Sequence, residues 1–235
     1  MDDGTIRDAL SAVAARFAPV APPAFELVYA PLFTALAPEA SQSTYPLALE
    51  FVYEGYLSHY RDPRLLAADT ALSTRLLAGD HFDASGLRLV ARGGDLDAVK
   101  LLTRLMASCS WLRAEHRPFA YDDDLWALCV AGIAATASGG HALAALRAFD
   151  EVGRLFERDR VERLPDVVRR AAGTLWLRHP APLRRALGLE VSPEEPGPDA
   201  AAPAPAASGA VVPGQPAPVQ PTAVEPAPVE TEAAR

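Results

Sequence analysis

Glu50 and Glu54 stand four residues apart in a segment where polar and aromatic residues are interleaved. At this spacing, two side chains lie on the same face of a helix. Such a pair of carboxylates binds one metal ion or another cation, or forms a solvated stripe, which is the more frequent arrangement. His59 follows in the same segment. We therefore group Glu50, Glu54 and His59 as a candidate polar cluster and leave these alternatives open.

The densest group of acids in the folded part of the chain is the run 122–124, three consecutive aspartates. Consecutive side chains on a helix point about 100° apart and do not converge on one ion. Neither Trp126 nor Ala127, four residues further on, adds a carboxylate. We predict that this run caps the N-terminus of a helix. Because the histidines and cysteines also lack the spacing of a zinc site, we expect no metal or cofactor on this chain.

Gly79 and Gly86 lie seven residues apart within a strongly helical stretch. A glycine inside a helix costs up to about 1 kcal/mol relative to alanine. Two glycines on one face, two turns apart, therefore predict a close approach to a neighbouring helix. Asp80 is a polar residue at an otherwise apolar level of this stretch, so we expect it to have a partner within the bundle.

Helical signals recur along the first 191 residues, where alanine, leucine and arginine dominate. Asp2 or Asp3 is expected to cap the first helix, and Asp95 a later one that runs to about Glu115. Gly93-Gly94 is expected to end the helix before it, and Pro31 to break or kink another. We predict an all-α bundle of eight or nine helices over residues 1–191, followed by a disordered Pro/Ala-rich acidic tail over residues 192–235.

The composition excludes several classes of protein. The net charge is −8, and most of it belongs to the tail, so a general surface for nucleic acid is not expected. The longest apolar candidate, 125–137, spans 13 residues, fewer than a transmembrane helix needs. The acidic start lacks the features of a signal peptide, and two cysteines make no disulfide framework. We expect a cytoplasmic protein without a transmembrane segment.

The segment 78–86 reads Ala-Gly-Asp-His-Phe-Asp-Ala-Ser-Gly. It resembles the Ala-Gly-Asp-Tyr-Tyr-Ser-Gly-type stretch of the small, non-catalytic component of two-component heptaprenyl diphosphate synthases, with two extra residues before Ser-Gly. The resemblance extends over about residues 45–115 and carries Gly79, Asp80 and Gly86 as motif residues. It implies a prenyl-synthase-like all-α fold and a role in making isoprenoid side chains such as that of menaquinone.

The chain departs from the catalytic members of that family. Their Asp-Asp-x-x-Asp clusters hold the Mg²⁺ ions that draw off the charge of the diphosphate as its bond to carbon breaks. The corresponding segment here, 51–59, contains no aspartate, and the run 122–124 lacks the fifth-position acid. The Gly-Lys motif that grips a diphosphate is absent as well. The resemblance thus implies a chain that does not ionise prenyl diphosphates by itself.

The first hypothesis is a non-catalytic subunit that pairs, as a heterodimer, with an Asp-rich catalytic chain, on which Mg²⁺ is expected. A prenyl diphosphate chain would lie in a shared apolar tunnel that sets product length, with four aromatic residues as candidate wall: Phe51, Tyr53, Tyr56 and Phe82. The alternative is a helical interaction or scaffold protein with no isoprenoid role. A third hypothesis is a self-sufficient enzyme with a metal site at Glu50 and Glu54.

Overall fold

The computed structural model describes residues 1–17 and 25–175, which form eight α-helices, two short 3₁₀ turns and no strand. In chain order the helices are α1 (Asp3–Ala14), α2 (Tyr29–Leu36), α3 (Tyr45–Tyr60), α4 (Leu72–Arg92), α5 (Leu96–Ala114), α6 (Ala120–Ala137), α7 (Leu143–Glu157) and α8 (Leu164–Leu175). The 3₁₀ turns are Pro38–Ala40 and Val161–Arg163. The predicted all-α class is confirmed over these residues.

Every described residue belongs to the first of the two units into which the chain divides, Met1–Ser192 and Pro193–Arg235. The predicted tail over 192–235 lies outside the described residues, as does the boundary placed after residue 191. Within the described ranges, no helix has both the length and the apolar character needed to cross a membrane.

Two predicted helix starts are confirmed by their caps. The Asp2 side chain accepts the backbone N–H of Thr5 at 2.9 Å, ahead of α1. Asp95 caps α5 by accepting the N–H of Ala98 at 2.9 Å. Its other carboxylate oxygen accepts the hydroxyl groups of Tyr45 and Thr136, at 2.7 and 3.0 Å. The start of α5 is therefore tied to both α3 and α6.

Proline and glycine act at the helix ends in two different ways. The break predicted at Pro31 does not occur, because this residue lies in the first turn of α2, where a backbone N–H has no helical acceptor in any case. Gly93-Gly94 does end α4 as predicted. Gly94 has a φ of 78°, in the left-handed region where glycine avoids the strain of a side chain.

Helices α3 and α4 pack against each other more extensively than any other pair of described helices, and glycine makes their close approach possible. A methyl group at Gly86 would lie 2.5 Å from Cγ2 of Val52 and 2.7 Å from the carbonyl oxygen of Ala48. A methyl group at Gly79 would lie 2.7 Å from Nε2 of His59. The close approach predicted from the two glycines is confirmed, and α3 is the neighbouring helix.

The buried apolar residues form two clusters. The larger one contains buried residues of α2, α3, the end of α4 and each helix from α5 to α8, among them Trp126, which is 1 % exposed. The smaller one packs α1 and the segment before α2 against one face of α3 and α4, and it includes Phe51 and Phe82. Helices α3 and α4 thus stand between the two cores, and they carry most of the polar side chains that are candidates for a site.

Candidate functional site

A pocket of about 230 Å³ opens where α3, α4, α5 and α6 meet. Its floor is apolar and includes Val52, Leu105, Met106 and Trp126. Its polar lining comes from α3, α4 and α5, and consists of Tyr56, His59, Tyr60, Asp80, Asp83 and Ser110. A concave apolar site with a few convergent polar groups is the usual form of a small-molecule site. We call this feature the α3–α4 pocket.

His59 lies between two carboxylates in this pocket. Its Nε2 is 3.3 Å from Oδ1 of Asp80 and 3.7 Å from Oδ2 of Asp83. The ring fits there because Gly79 has no side chain to collide with it. Asp80 therefore lies beside His59, but its side chain is 75 % exposed, so it is not a polar group inside the bundle as expected. Two residues that the sequence had grouped separately, one on α3 and one on α4, are nevertheless brought together.

Asp83 is the acid of this pocket that sequence reasoning did not single out. Its side chain is 15 % exposed, and its Oδ1 has no hydrogen-bond partner among the described residues. The carboxylate packs against Gly55 of α3, in the space that a methyl group at that position would occupy. Burial, assisted by the charge of Asp80, raises the pKa of Asp83 to about 7. The sequence spacing could have identified Asp83, since it lies four residues after Gly79 and therefore on the same face of the helix.

Replacing Asp83 by asparagine should stabilise the protein most at pH 8 and least at pH 4. The folded-state pKa of about 7 lies above the value of about 3.9 for an unfolded aspartate. The folded protein therefore holds an additional proton between these values. The stability that this proton contributes is present at low pH and lost as the pH rises toward 7. Urea unfolding at several pH values should give a difference between variant and wild type that grows across this window.

Asp8, an exposed carboxylate on α1, provides the control for loss of one negative charge. The account of Asp83 would be contradicted by a difference that stays constant from pH 4 to pH 8, or by one that Asp8→Asn reproduces.

Glu50 and Glu54 are fully buried, so the solvated-stripe alternative is wrong. The cation between them is the guanidinium of Arg64, which lies in the connection from α3 to α4 and is 13 % exposed. Its Nη1 donates to Glu50 and its Nε donates to Glu54, each at 2.8 Å. We call these three residues the Arg64 node.

The other carboxylate oxygen of each glutamate accepts hydrogen bonds from backbone N–H groups. Oε1 of Glu50 accepts the N–H groups of Val28, Tyr29 and Ala30, at 2.7, 2.7 and 2.9 Å, and so caps α2 from another helix. Oε1 of Glu54 accepts the N–H of Leu65 at 3.0 Å. Burial raises the pKa of Glu54 although Arg64 opposes this shift. Both carboxylates thus organise the fold around α3, and neither lines the α3–α4 pocket.

The acidic run of α6 makes no capping hydrogen bond, contrary to the prediction, although Asp122 and Asp123 do lie in the first turn, where negative charge is favourable. α6 begins earlier, at Ala120, and its cap residue makes no side-chain hydrogen bond to the backbone. Asp122 is instead fully buried, where its Oδ2 accepts the hydroxyl of Tyr56 at 2.8 Å and lies 3.1 Å from Nε of Arg113. Asp123 faces Arg61 at 3.4 Å. The run fails to converge, as expected from its spacing, and Asp122 joins α3, α5 and α6.

The four residues considered for a tunnel wall occupy different places. Tyr56 lines the α3–α4 pocket. Tyr53 packs edge-on against Trp126, with ring centroids 5.3 Å apart. Phe51 and Phe82 are buried and contact each other across α3 and α4, at 6.0 Å between centroids. Tyr56 therefore borders the pocket, Phe51 and Phe82 belong to the smaller core, and Tyr53 is half-buried beside Trp126.

Over residues 1–17 and 25–175, no three side chains among His, Cys, Asp and Glu are grouped so that they could hold a metal ion. Comparisons of the chain with protein families, with characterised proteins and with solved structures find no match. The residues and their geometry are therefore the basis on which a function can be assigned.

Proposed function

We propose that the protein is the non-catalytic subunit of a two-component polyprenyl diphosphate synthase of the heptaprenyl type. The observation that carries the proposal is the Arg64 node. The resemblance aligns α3 with the helix on which catalytic chains carry their metal-binding acids. In this chain the two acids of that helix, Glu50 and Glu54, point into the core. Their carboxylates accept hydrogen bonds from Arg64 and from backbone N–H groups, so they are not free to bind a metal ion.

In this proposal the partner chain supplies the aspartates and the Mg²⁺ that assist departure of the diphosphate. The present chain shapes the apolar space in which the product grows. The apolar floor of the α3–α4 pocket would border the growing isoprenoid chain, and Tyr56 and Trp126 would set how far that chain extends. Asp80, the exposed acid of this pocket, disfavours a diphosphate there and suits the polar edge of an interface with the partner. A cytoplasmic location belongs to the same proposal.

The N-terminal part of α4 offers a surface for such a partner. Three leucines within six residues are exposed, Leu72, Leu76 and Leu77, with Leu72 at 64 %. Single exposed leucines are common on protein surfaces, but a group of this kind marks a contact site more often. It lies directly before the Gly79-Asp80 motif.

Co-expression with the Asp-rich synthase encoded in the same genome tests the proposal. We expect the two chains to co-purify and to give the mass of a heterodimer by light scattering. Leu72→Asp combined with Leu77→Asp should weaken the complex by about tenfold or more, since each places a charge in an apolar contact. Leu143→Asp, at an exposed leucine on α7, is the matched control and should leave the complex intact. Absence of a complex between the wild-type chains would contradict the proposal.

The second candidate is a helical interaction or scaffold protein without an isoprenoid role. The same exposed leucines favour it, because they could contact an apolar surface on any partner protein, whatever its function. Deletion of residues 193–235 separates the two candidates. Loss of partner binding on deletion supports the scaffold, in which the tail is the adaptor arm, whereas the subunit requires little change.

A further inference from the structure

A second pocket, of about 260 Å³, lies where the end of α7, the Val161–Arg163 turn and α8 meet. Four arginines line it, together with one carboxylate and two apolar side chains: Arg154, Arg158, Arg163, Arg170, Glu151, Leu155 and Val167. We call it the arginine pocket. Such an accumulation of one charge is unexpected in a chain whose net charge is −8.

The nearby carboxylates that form ion pairs do so with other residues. Asp159 pairs with Arg117, Glu162 with Arg160, and Asp166 with Arg169. Within the pocket, Glu151 is 2.6 Å from Arg170. No carboxylate of the described residues lies within 4 Å of the charged nitrogens of the other three, which are Arg154, Arg158 and Arg163.

The fold itself brings these like charges together. Arg154 lies in the last turn of α7 and Arg158 directly follows that helix, and both side chains line the pocket. Arg163 and Arg170 come from the following turn and helix, which are anchored by the buried residues Val161 and Leu164. The N–H of Arg160 donates to the carbonyl of Leu155 at 2.9 Å and turns the chain at the end of α7. An anion between the arginines would relieve the repulsion between these like charges.

We propose that the arginine pocket binds a phosphate-bearing anion with at least two negative charges. The guanidinium group offers paired N–H donors that match two oxygens of a phosphate, and several such groups around one cavity suit a multivalent anion. Leu155 and Val167 provide an apolar surface beside the charge, on which a non-polar part of the ligand can lie. The site is built from helices other than α3 and α4, and it does not depend on the subunit proposal.

Calorimetric titration of the full chain with inorganic pyrophosphate tests this site. Arg158→Gln combined with Arg163→Gln should weaken binding by about tenfold or more, because each removes charge-assisted hydrogen bonds. Arg88→Gln combined with Arg92→Gln is the matched control, since both residues lie on α4, away from the pocket, and the net charge changes equally. Glu151→Gln should strengthen binding about two- to fivefold by releasing Arg170 from its ion pair.

A parallel arm uses vesicles of phosphatidylcholine with and without phosphatidic acid, which carries the same phosphate chemistry on a lipid. Binding to pyrophosphate identifies a soluble ligand, and binding to the phosphatidic-acid vesicles alone identifies a lipid headgroup. Either supports the site if the α7–turn double variant loses it and the α4 control keeps it. Absence of binding in both arms, or an equal loss in the control, would overturn the proposal.

Discussion

Replacing Arg64 by methionine is expected to lower the free energy of unfolding by about 3–5 kcal/mol, the usual effect of removing one partner of a buried ion pair. Methionine fills much of the same volume but leaves Glu50 and Glu54 buried without their cation. The cap of α2 is weakened as well, because Glu50 holds three N–H groups at the start of that helix. Urea unfolding followed by circular dichroism at pH 7 measures the change.

Two variants make this result specific. Arg92→Met removes an exposed arginine from the end of α4 and should change the free energy of unfolding by less than about 0.5 kcal/mol. Adding Glu50→Gln and Glu54→Gln to Arg64→Met should restore part of the loss, because no unpaired charge then remains buried. A loss below about 1 kcal/mol in Arg64→Met would mean that Arg64 is not the counter-charge of these two acids.

The second large effect is expected from Gly86→Ala, which should destabilise the protein by about 1–3 kcal/mol, as overpacking of a core does. Alanine is the better helix former, so intrinsic propensity alone predicts stabilisation. At Gly86, however, the added methyl group meets the carbonyl oxygen of Ala48 and a branched side chain, Val52. Neither can turn away, so α3 and α4 must separate.

Gly153→Ala on α7 is the matched control. Apart from its chain neighbours and the backbone of its own helix, no atom of the described residues lies within 4 Å of the position that its methyl group would take. It should therefore show the propensity gain alone, about 0.5–1 kcal/mol of stabilisation. If both variants stabilise the protein equally, the close contact between α3 and α4 does not exist in solution.

The parts of the fold that the sequence predicted depend on local chemistry. Asp2 and Asp95 predict helix starts because a capping side chain binds the backbone N–H of a residue only three positions later in the chain. The paired glycines of α4 predict a close contact with another helix, because the stability that they cost their own helix must be compensated by packing. The identity of the contacted helix, α3, depends on tertiary packing and was not predicted.

The parts that escaped prediction depend on which helix face is buried. The spacing of Glu50 and Glu54 places them together but does not say whether the shared face points to water or to the core. Arg64 gave no signal, since it lies in a connection 10 and 14 residues away from its two partners. Asp122 was misjudged for the same reason, because its partners, Tyr56 and Arg113, reach it only in the folded bundle.

In the proposed function, this chain shapes product length in a synthase whose chemistry resides on a partner. The most direct measurement is mass spectrometry of the prenyl products formed from farnesyl and isopentenyl diphosphate with Mg²⁺, by each chain alone and by the pair. We expect no product from this chain alone, and longer products from the pair than from the Asp-rich chain alone. Unchanged product length would contradict the claim. So would Mg²⁺-dependent turnover by this chain alone that is lost in Glu54→Gln.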